Sequence, residues 1–296
     1  MAKLLDGQKI SDQIRNEIKD ELLCRVPPCL AVVLCTDDPA SEIYVQRKQK
    51  ACEEVGITTF LLRPFQGGLD KWEHQEEHLL STIDYLNNDP AVHGILVQLP
   101  LPRGINQHWV FDRINPLKDV DVFNPTNVGL LLQGRPRLIP CTPQGIQELL
   151  LRSGIPIAGK KVAIINRSDI VGKPLNALLI QDDGQRANAT VVLCHDRTPP
   201  ERLKEVCLAS DIIVVAVGIP NFLTEDMVHE KSIVVDVGIN RKEGSKKIVG
   251  DVHPAVHDKV FAYSPVPGGV GPMTVTMLLR NTLKAQDLIY NSQKQS

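Results

Sequence analysis

Aromatic residues make up only 4% of this 296-residue chain, so its core has to be built mainly from aliphatic side chains. No apolar stretch approaches the roughly 20 residues that would cross a bilayer as a helix. The opening Met1-Ala2-Lys3-Leu4-Leu5-Asp6-Gly7 meets charge and glycine too early to serve as a secretory leader. An excess of either charge is missing as well. The formal net charge of −2 gives no electrostatic reason to expect nucleic acid or a membrane surface as the partner. The expectation is a cytoplasmic protein that handles a small molecule. Cysteines occur at 24, 29, 35, 52, 141, 194 and 207, odd in number and without a Cys-x-x-Cys pair, which argues against a disulfide framework or a cysteine zinc site. His253 and His257 have helical spacing, but Pro254 lies between them and no third ligand is evident, so no metal is expected.

What is present is ordinary globular composition, 43% hydrophobic and 23% charged, in a chain long enough for two domains. Helical spacing runs from Gly7 to Arg25, from Ser41 to Val55 and from Trp72 to Asn87, and strand-like runs cover Leu30 to Leu34 and Gly94 to Leu99. This alternation implies a βαβ layout. A helix over Gly145 to Ser153 leads into a second series of strands at Lys161–Ile165, Thr190–Cys194, Asp211–Val217 and Ser232–Val237. These runs are continuous and rich in Val and Ile, as in a parallel sheet covered on both faces. The predicted fold class is α/β in two domains. An N-terminal α/β substrate domain occupies residues 1–139 and a Rossmann-type dinucleotide-binding domain residues 140–272. A final helix pattern, Met273 to Tyr290, follows the glycine-rich Pro267-Gly268-Gly269-Val270-Gly271.

Six segments carry the chemistry. The strand Val162–Ile165 is followed by Asn166-Arg167-Ser168-Asp169-Ile170-Val171-Gly172-Lys173-Pro174 and then by an apolar helix. A strand, tight loop and helix N-terminus can turn backbone N–H groups toward a pyrophosphate. The loop lacks the Gly-x-Gly-x-x-Gly pattern, so taken alone it reads equally well as an ordinary strand-to-helix turn. After the next strand, Cys194-His195-Asp196-Arg197 places an acid where a ribose 2′-hydroxyl is commonly read; a solvated Asp in a loop is the alternative. Tyr44 and Lys48 stand four apart on one helix face, and a lysine beside an aromatic in a partly dry cleft can act in proton transfer. Short-chain dehydrogenases share that spacing, but there the pair follows the cofactor loop, whereas here it comes more than a hundred residues before it. Gln98 and Asp121 lie just past candidate strand ends, where open α/β sheets form binding crevices. Gln98 offers a neutral donor and acceptor, and Asp121 an acceptor for an amino-substituted heterocycle. A strand-end cap and a turn-forming Asp are the alternatives for these two. The loop Pro267 to Gly271 suits close backbone approach to a ligand or a structural hinge.

Together these residues closely resemble the bifunctional methylenetetrahydrofolate dehydrogenase/methenyltetrahydrofolate cyclohydrolase family along nearly the whole chain. The resemblance rests on Ala40 to Lys48, Val97 to Pro102, Lys118 to Phe123, Arg167 to Pro174, Val235 to Asn240, Gly250-Asp251-Val252 and Pro265 to Thr274, in that order. It implies oxidation of 5,10-methylenetetrahydrofolate with NAD(P) and hydrolysis of the methenyl product, in one cleft between the domains. It implies that Lys48 is the catalytic lysine, Tyr44 stacks on the pterin, Gln98 orients Lys48 and Asp121 anchors the pterin ring. Pro267, Gly268 and Gly269 also fall to the folate. Asn166, Arg167, Ser168, Ile170, Val171, Gly172, Asp196, Arg197, Val217, Gly218 and Ile239 fall to the cofactor. The helix 273–296 is expected to return to the first domain, and a homodimer is expected.

Four departures from the family pattern stand out. Asn166 occupies a position where many members have Gly, Val122 replaces the Gly usual after the pterin-anchoring Asp, and Cys35-Thr36 replaces a Val-Gly pair. Asp196 takes the place of a Ser found in many NADP-dependent relatives. Its carboxylate would repel a 2′-phosphate that Arg167 and Arg197 would attract, so the expected cofactor is NADP, with NAD open because of Asp196. The competing readings are a non-catalytic folate- or nucleotide-binding protein of the same fold and an oxidoreductase for an amino acid or shikimate-type substrate. The second would lack Gln98-Leu99-Pro100 and the Pro267–Gly271 loop.

Overall fold

Runs of Val, Ile and Leu become parallel strands in both halves of the chain, and the helices between them begin where the sequence supplies a cap. The computed structural model describes residues 2–65, 72–241 and 248–295. The first half reads β1 (Lys3–Leu4), α1 (Gly7–Leu22), β2 (Cys29–Leu34), α2 (Pro39–Val55), β3 (Thr58–Leu62), α3 (Trp72–Asn88), β4 (Gly94–Gln98), α4 (Gln107–Arg113) and α5 (Pro125–Leu132). The second half reads α6 (Cys141–Arg152), β5 (Lys161–Ile165), α7 (Gly172–Leu179), β6 (Thr190–Cys194), α8 (Pro200–Leu208), β7 (Ile212–Val215) and β8 (Ile233–Asp236). After these come β9 (Asn240–Arg241), β10 (Ile248–Val249), α9 (Val256–Lys259), β11 (Ala262–Tyr263) and α10 (Val270–Gln295).

Helix α2 starts two residues before the Ser41 expected from periodicity. Asp38 caps it by accepting from Ser41 N at 2.9 Å, and Pro39 fits the first turn because its missing N–H would have had no helical partner. Gly56, at φ 92°, ends it in the left-handed region. Asn106 and Asn124 cap α4 and α5 in the same way as Asp38. The last helix begins at Val270, earlier than the expected Met273, since Pro272 is tolerated in a first turn.

The chain divides into two compact units, Met1–Gln13 with Thr142–Thr274 and Ile14–Cys141 with Val275–Ser296. The second of these holds a three-stranded parallel sheet in the order β3-β2-β4. Strand β2 is buried almost throughout because helices cover both faces, and Ala31, Val33, Leu79, Ile83, Ile95 and Phe111 belong to its core. The first unit holds a six-stranded sheet, β1-β11-β8-β7-β5-β6, parallel throughout. The order β6-β5-β7-β8 reverses direction between β5 and β7, and in such sheets ligands bind outside the carboxyl ends of the strands at that point.

The N-terminal thirteen residues do not follow the 1–139 boundary drawn from the sequence. Lys3 and Leu4 pair with Ala262 and Tyr263 as an edge strand of the large sheet. A two-residue strand is too short to display a period, so only the paired backbone reveals it. Residues 275–296 group with Ile14–Cys141, and Arg280 of α10 forms ion pairs with Glu17 and Glu21 of α1.

Candidate active site

In the unit built on β3-β2-β4, helix α2 presents Tyr44 and Lys48 one turn apart, both half-buried. Lys48 Nζ donates to Gln98 Oε1 at 3.1 Å, and Gln98 Nε2 donates to the Leu99 carbonyl at 2.7 Å. Gln98 is the last residue of β4, so the strand fixes the backbone that carries the lysine's acceptor. Its amide is held at both ends, which leaves Lys48 a defined position rather than the freedom of a surface lysine. Leu99-Pro100 follows as a cis peptide.

Asp121 lies in a loop organised by its neighbour Asp119. That buried carboxylate accepts from Val122 N, Phe123 N and Asn124 N at 3.0, 3.2 and 2.9 Å, and from Asn127 Nδ2 at 3.0 Å. Burial pushes the Asp119 carboxyl above its usual range, and these hydrogen bonds oppose the shift. Asn281 of α10 donates to the Val120 and Ile139 carbonyls, both at 2.8 Å, and so joins this loop to the segment before α6. Cys141 is fully enclosed there. Burial pushes its thiol well up; the charge of Asp121 adds to the shift and that of Lys48 opposes it, which puts all three groups in one neighbourhood. Sequence reasoning singled out neither Asp119, Cys141 nor Asn281 for a role. Asp119 stood inside a quoted motif, but nothing in its spacing distinguishes a loop-winding carboxylate from a ligand-facing one.

Val122, where glycine is usual, takes φ 65° while only 2% exposed. A β-branched residue in the left-handed region is strained by about 1–3 kcal/mol, which roughly matches the 1.5–3 kcal/mol gained by burying a valine. Val122→Gly is therefore expected to change unfolding free energy by no more than about 1 kcal/mol in a denaturant titration. A loss of 3 kcal/mol or more would show that position 122 carries no strain.

The other unit holds the residues read as cofactor-binding. Asn166 follows β5 and its carboxamide binds the loop to itself. Oδ1 accepts from Ser168 N at 2.8 Å, Ser168 Oγ at 2.6 Å and Gly172 N at 2.9 Å, and Nδ2 donates to the Ala216 carbonyl beyond β7 at 2.6 Å. Val171 N donates to Ser168 Oγ at 3.1 Å and Lys173 N to the Ser168 carbonyl at 3.1 Å. The amides expected to face a pyrophosphate at Ser168, Val171 and Gly172 thus have acceptors within the loop. The physical reason is that Asn, unlike the usual Gly, brings its own oxygen to the helix N-terminus. Any Cβ at Gly172 would fall 2.1 Å from the Asn166 carbonyl oxygen, which explains the glycine. Arg167 and Ile170 remain exposed.

At the end of β6, Asp196 forms ion pairs with Arg167 and, at 3.5 Å, with Arg197. Beyond β7 and β8, the fully buried Asp251 accepts from Val217 N at 2.7 Å, Gly218 N at 2.9 Å and Asn240 Nδ2 at 2.8 Å. Asp236 in turn accepts from Gly238 N, Asp251 N and Val252 N, and burial pushes its carboxyl up to about 6. Ile239 is 48% exposed between these two anchors. Pro267, Gly268 and Gly269 pack on the start of α1: Gln8 N donates to the Gly268 carbonyl at 2.9 Å, and a Cβ on Gly7 would lie 1.9 Å from the Gly269 oxygen. Among the described residues no group of His, Cys, Asp and Glu could hold a metal ion.

Residues 5–121 match the family model described as tetrahydrofolate dehydrogenase/cyclohydrolase, catalytic domain, and residues 140–289 the model described as tetrahydrofolate dehydrogenase/cyclohydrolase, NAD(P)-binding domain. The bifunctional protein FolD of Rhodopirellula baltica is 48% identical over 96% of this chain and 97% of its own. Among solved structures, the bifunctional enzyme FolD of Campylobacter jejuni is similar with a TM-score of 0.89 at 44% identity, covering 98% of this chain and 100% of that one. The Trypanosoma brucei methylenetetrahydrofolate dehydrogenase-cyclohydrolase complexed with NADP cofactor and inhibitor is similar with a TM-score of 0.87 at 34% identity, covering 98% of both chains.

Proposed function

The chain belongs to the tetrahydrofolate dehydrogenase/cyclohydrolase family, and on that premise we propose that it oxidises 5,10-methylenetetrahydrofolate with NADP and hydrolyses the methenyl product to 10-formyltetrahydrofolate. The observation that carries this reading is the hydrogen bond from Lys48 Nζ to Gln98 Oε1, with Tyr44 one turn away on the same helix. Tyr44 offers its ring to the flat pterin, and Asp121 accepts hydrogen bonds from the amino-substituted ring. The backbone of Pro267, Gly268 and Gly269 completes the folate contacts. In the hydrolytic step, water adds to the methenyl carbon and gives up a proton. The bond from that carbon to one ring nitrogen then breaks as that nitrogen takes a proton up and the added hydroxyl loses its own, which leaves the formyl group and releases one proton to solvent. Lys48, kept in place by Gln98, accepts the proton from water and returns one to the nitrogen.

The residues at the carboxyl ends of β5 and β6 fit a nicotinamide dinucleotide, since Asp196 can accept from a ribose hydroxyl and Arg167 and Arg197 attract phosphate. When bound, that cofactor supplies the acceptor for the hydride leaving the methylene bridge. Asn166, Arg167, Ser168, Ile170, Val171 and Gly172 form its phosphate-side loop. Asp196 and Arg197 lie at its adenosine ribose, and Val217, Gly218 and Ile239 at the neighbouring strand ends. The enzyme works as a cytoplasmic homodimer. Among the described residues no helix is long and apolar enough to cross a membrane.

Purified protein given methylenetetrahydrofolate and NADP⁺ is expected to produce the absorbance of reduced nicotinamide, with methenyltetrahydrofolate appearing and then decaying. Folded protein that binds folate but turns over with neither NADP⁺ nor NAD⁺ would replace this reading with that of a folate-binding protein.

A further inference from the structure

Resting on that reading, we infer that Lys118 is a positioning residue for the folate: it ties the chain just before Asp121 to the end of α3 and so fixes where the Asp121 carboxylate stands. Lys118 is only 5% exposed, which is rare for a lysine. Its Nζ donates to the Leu86 carbonyl at 2.9 Å and to the Asp89 carbonyl at 2.7 Å. The sequence leaves the first of these acceptors open. Four residues on from Leu86 stands Pro90, which has no N–H to complete the helical hydrogen bond. The negative end of the helix dipole also favours a cation there. Burial pushes the Lys118 ammonium below the usual lysine range, and the charge of Asp89 opposes the shift. A buried charge is costly unless it is hydrogen-bonded, and two carbonyls and a helix end supply that compensation here.

What Lys118 holds is the edge of the small sheet. Its carbonyl accepts from Ile95 N at 2.7 Å, and Asp119 forms a parallel bridge with Ile95, so residues 118 and 119 lie along β4. Asn87, also in the last turn of α3, adds a second tie. Its Oδ1 accepts from Asn115 N at 2.8 Å and its Nδ2 donates to the Arg113 carbonyl at 2.7 Å. Beyond the loop wound by Asp119, Asn124 Nδ2 donates to the Phe111 and Ile114 carbonyls at the end of α4, at 3.2 and 2.9 Å. The segment is thus fixed on α3 at one end and on α4 at the other, with half-buried Asp121 between. The same strand β4 ends in Gln98, the acceptor for Lys48, so the pterin anchor and the catalytic lysine take their places from one strand. A shift on the order of 1 Å in an anchoring group can cost tenfold or more in rate. Asp121 meets the pterin ring away from the reacting carbon, so its contacts are made equally in ground and transition states, and their loss raises KM rather than lowering kcat.

The test is a double-mutant cycle on the full chain, read by initial rates of methylenetetrahydrofolate oxidation, with thermal melts to establish that each variant is folded. Lys118→Met keeps the length and apolar stem of lysine but donates to neither carbonyl, whereas Lys118→Arg keeps the charge and the donors. Lys118→Met is expected to raise KM for methylenetetrahydrofolate about tenfold, with kcat and the KM for NADP⁺ within about threefold of wild type. Lys118→Arg should recover most of that loss. Added to Asp121→Ala, Lys118→Met should raise KM by less than about twofold further, because the group it positions is already gone. A purely structural role would lower the melting temperature and the amount of active enzyme but leave the folate KM in place. Should Lys118→Met fail to fold, Lys118→Gln, which retains an N–H donor, is read against the same expectations. A folate KM within about threefold of wild type in a folded Lys118→Met or Lys118→Gln, or a rise that persists in full on Asp121→Ala, overturns the inference and leaves the enzyme reading intact. Wild-type protein without turnover, or Asp121→Ala with an unchanged folate KM, overturns the reading of the folate site and the inference with it.

Discussion

Methionine at position 48 is expected to slow hydrolysis of methenyltetrahydrofolate by about 10²–10⁴-fold, the range that a positioned proton-transfer group supplies. Met keeps the length of the lysine and its apolar stem but can neither accept nor return a proton. The dehydrogenase rate should fall less, because hydride transfer depends chiefly on alignment of donor and acceptor, and Tyr44, Gln98 and Asp121 are unchanged. Stability should barely move. Among the described residues the side-chain hydrogen bond lost is the 3.1 Å contact to Gln98 Oε1, and Gln98 is half-buried, so water can replace the donor at a cost of about 1 kcal/mol or less. Decay of methenyltetrahydrofolate absorbance, measured beside a thermal melt, checks both halves. A variant that keeps more than a tenth of the hydrolytic rate would remove Lys48 from the chemistry.

Asp251→Ala is expected to be the most damaging single change to the dinucleotide-binding unit. The wild-type carboxylate is fully buried and accepts from Val217 N, Gly218 N and Asn240 Nδ2. Alanine removes the acceptor of three part-buried hydrogen bonds, one of them from the exposed Gly218; a buried donor left unpaired costs about 1–3 kcal/mol, less where water can replace the acceptor. A total of about 2–4 kcal/mol is expected, a sizeable part of the 5–15 kcal/mol typical of a folded protein. The effect reaches function because those donors belong to the turns beyond β7 and β8. With the anchor gone, Gly218, at φ 70°, and the Ile239-Asn240 segment lose their fixed separation, and cofactor affinity should fall with stability. Asp251→Asn retains one acceptor oxygen and should recover part of both. Denaturant midpoints and cofactor titrations measure the two effects. A loss under 1 kcal/mol for the alanine variant, with affinity unchanged, would mean that Asp251 does not hold these turns.

Much of this arrangement was legible in the sequence because local order encodes it. The Val- and Ile-rich runs at 161–165 and 190–194 form the strands expected of them. The four-residue spacing of Tyr44 and Lys48 places both on one face of α2, as the helical period requires. The predicted α/β class followed from the same local patterns. Tertiary structure alone decided what depends on contacts between distant residues. The carboxamide of Asn166, at the start of the loop assigned to the cofactor, closes that loop and bonds Ala216, fifty positions away. Asp119 and Asp121 stand two residues apart in one motif, and only the folded loop distinguishes the carboxylate buried among backbone amides from the one left half-exposed. Lys3 and Leu4 join a sheet edge formed some 260 residues later. Periodicity reports which face of an element is apolar, and capping residues report where it starts. Which acceptor a buried donor finds depends on loop closure in three dimensions, and neither propensity nor spacing records that.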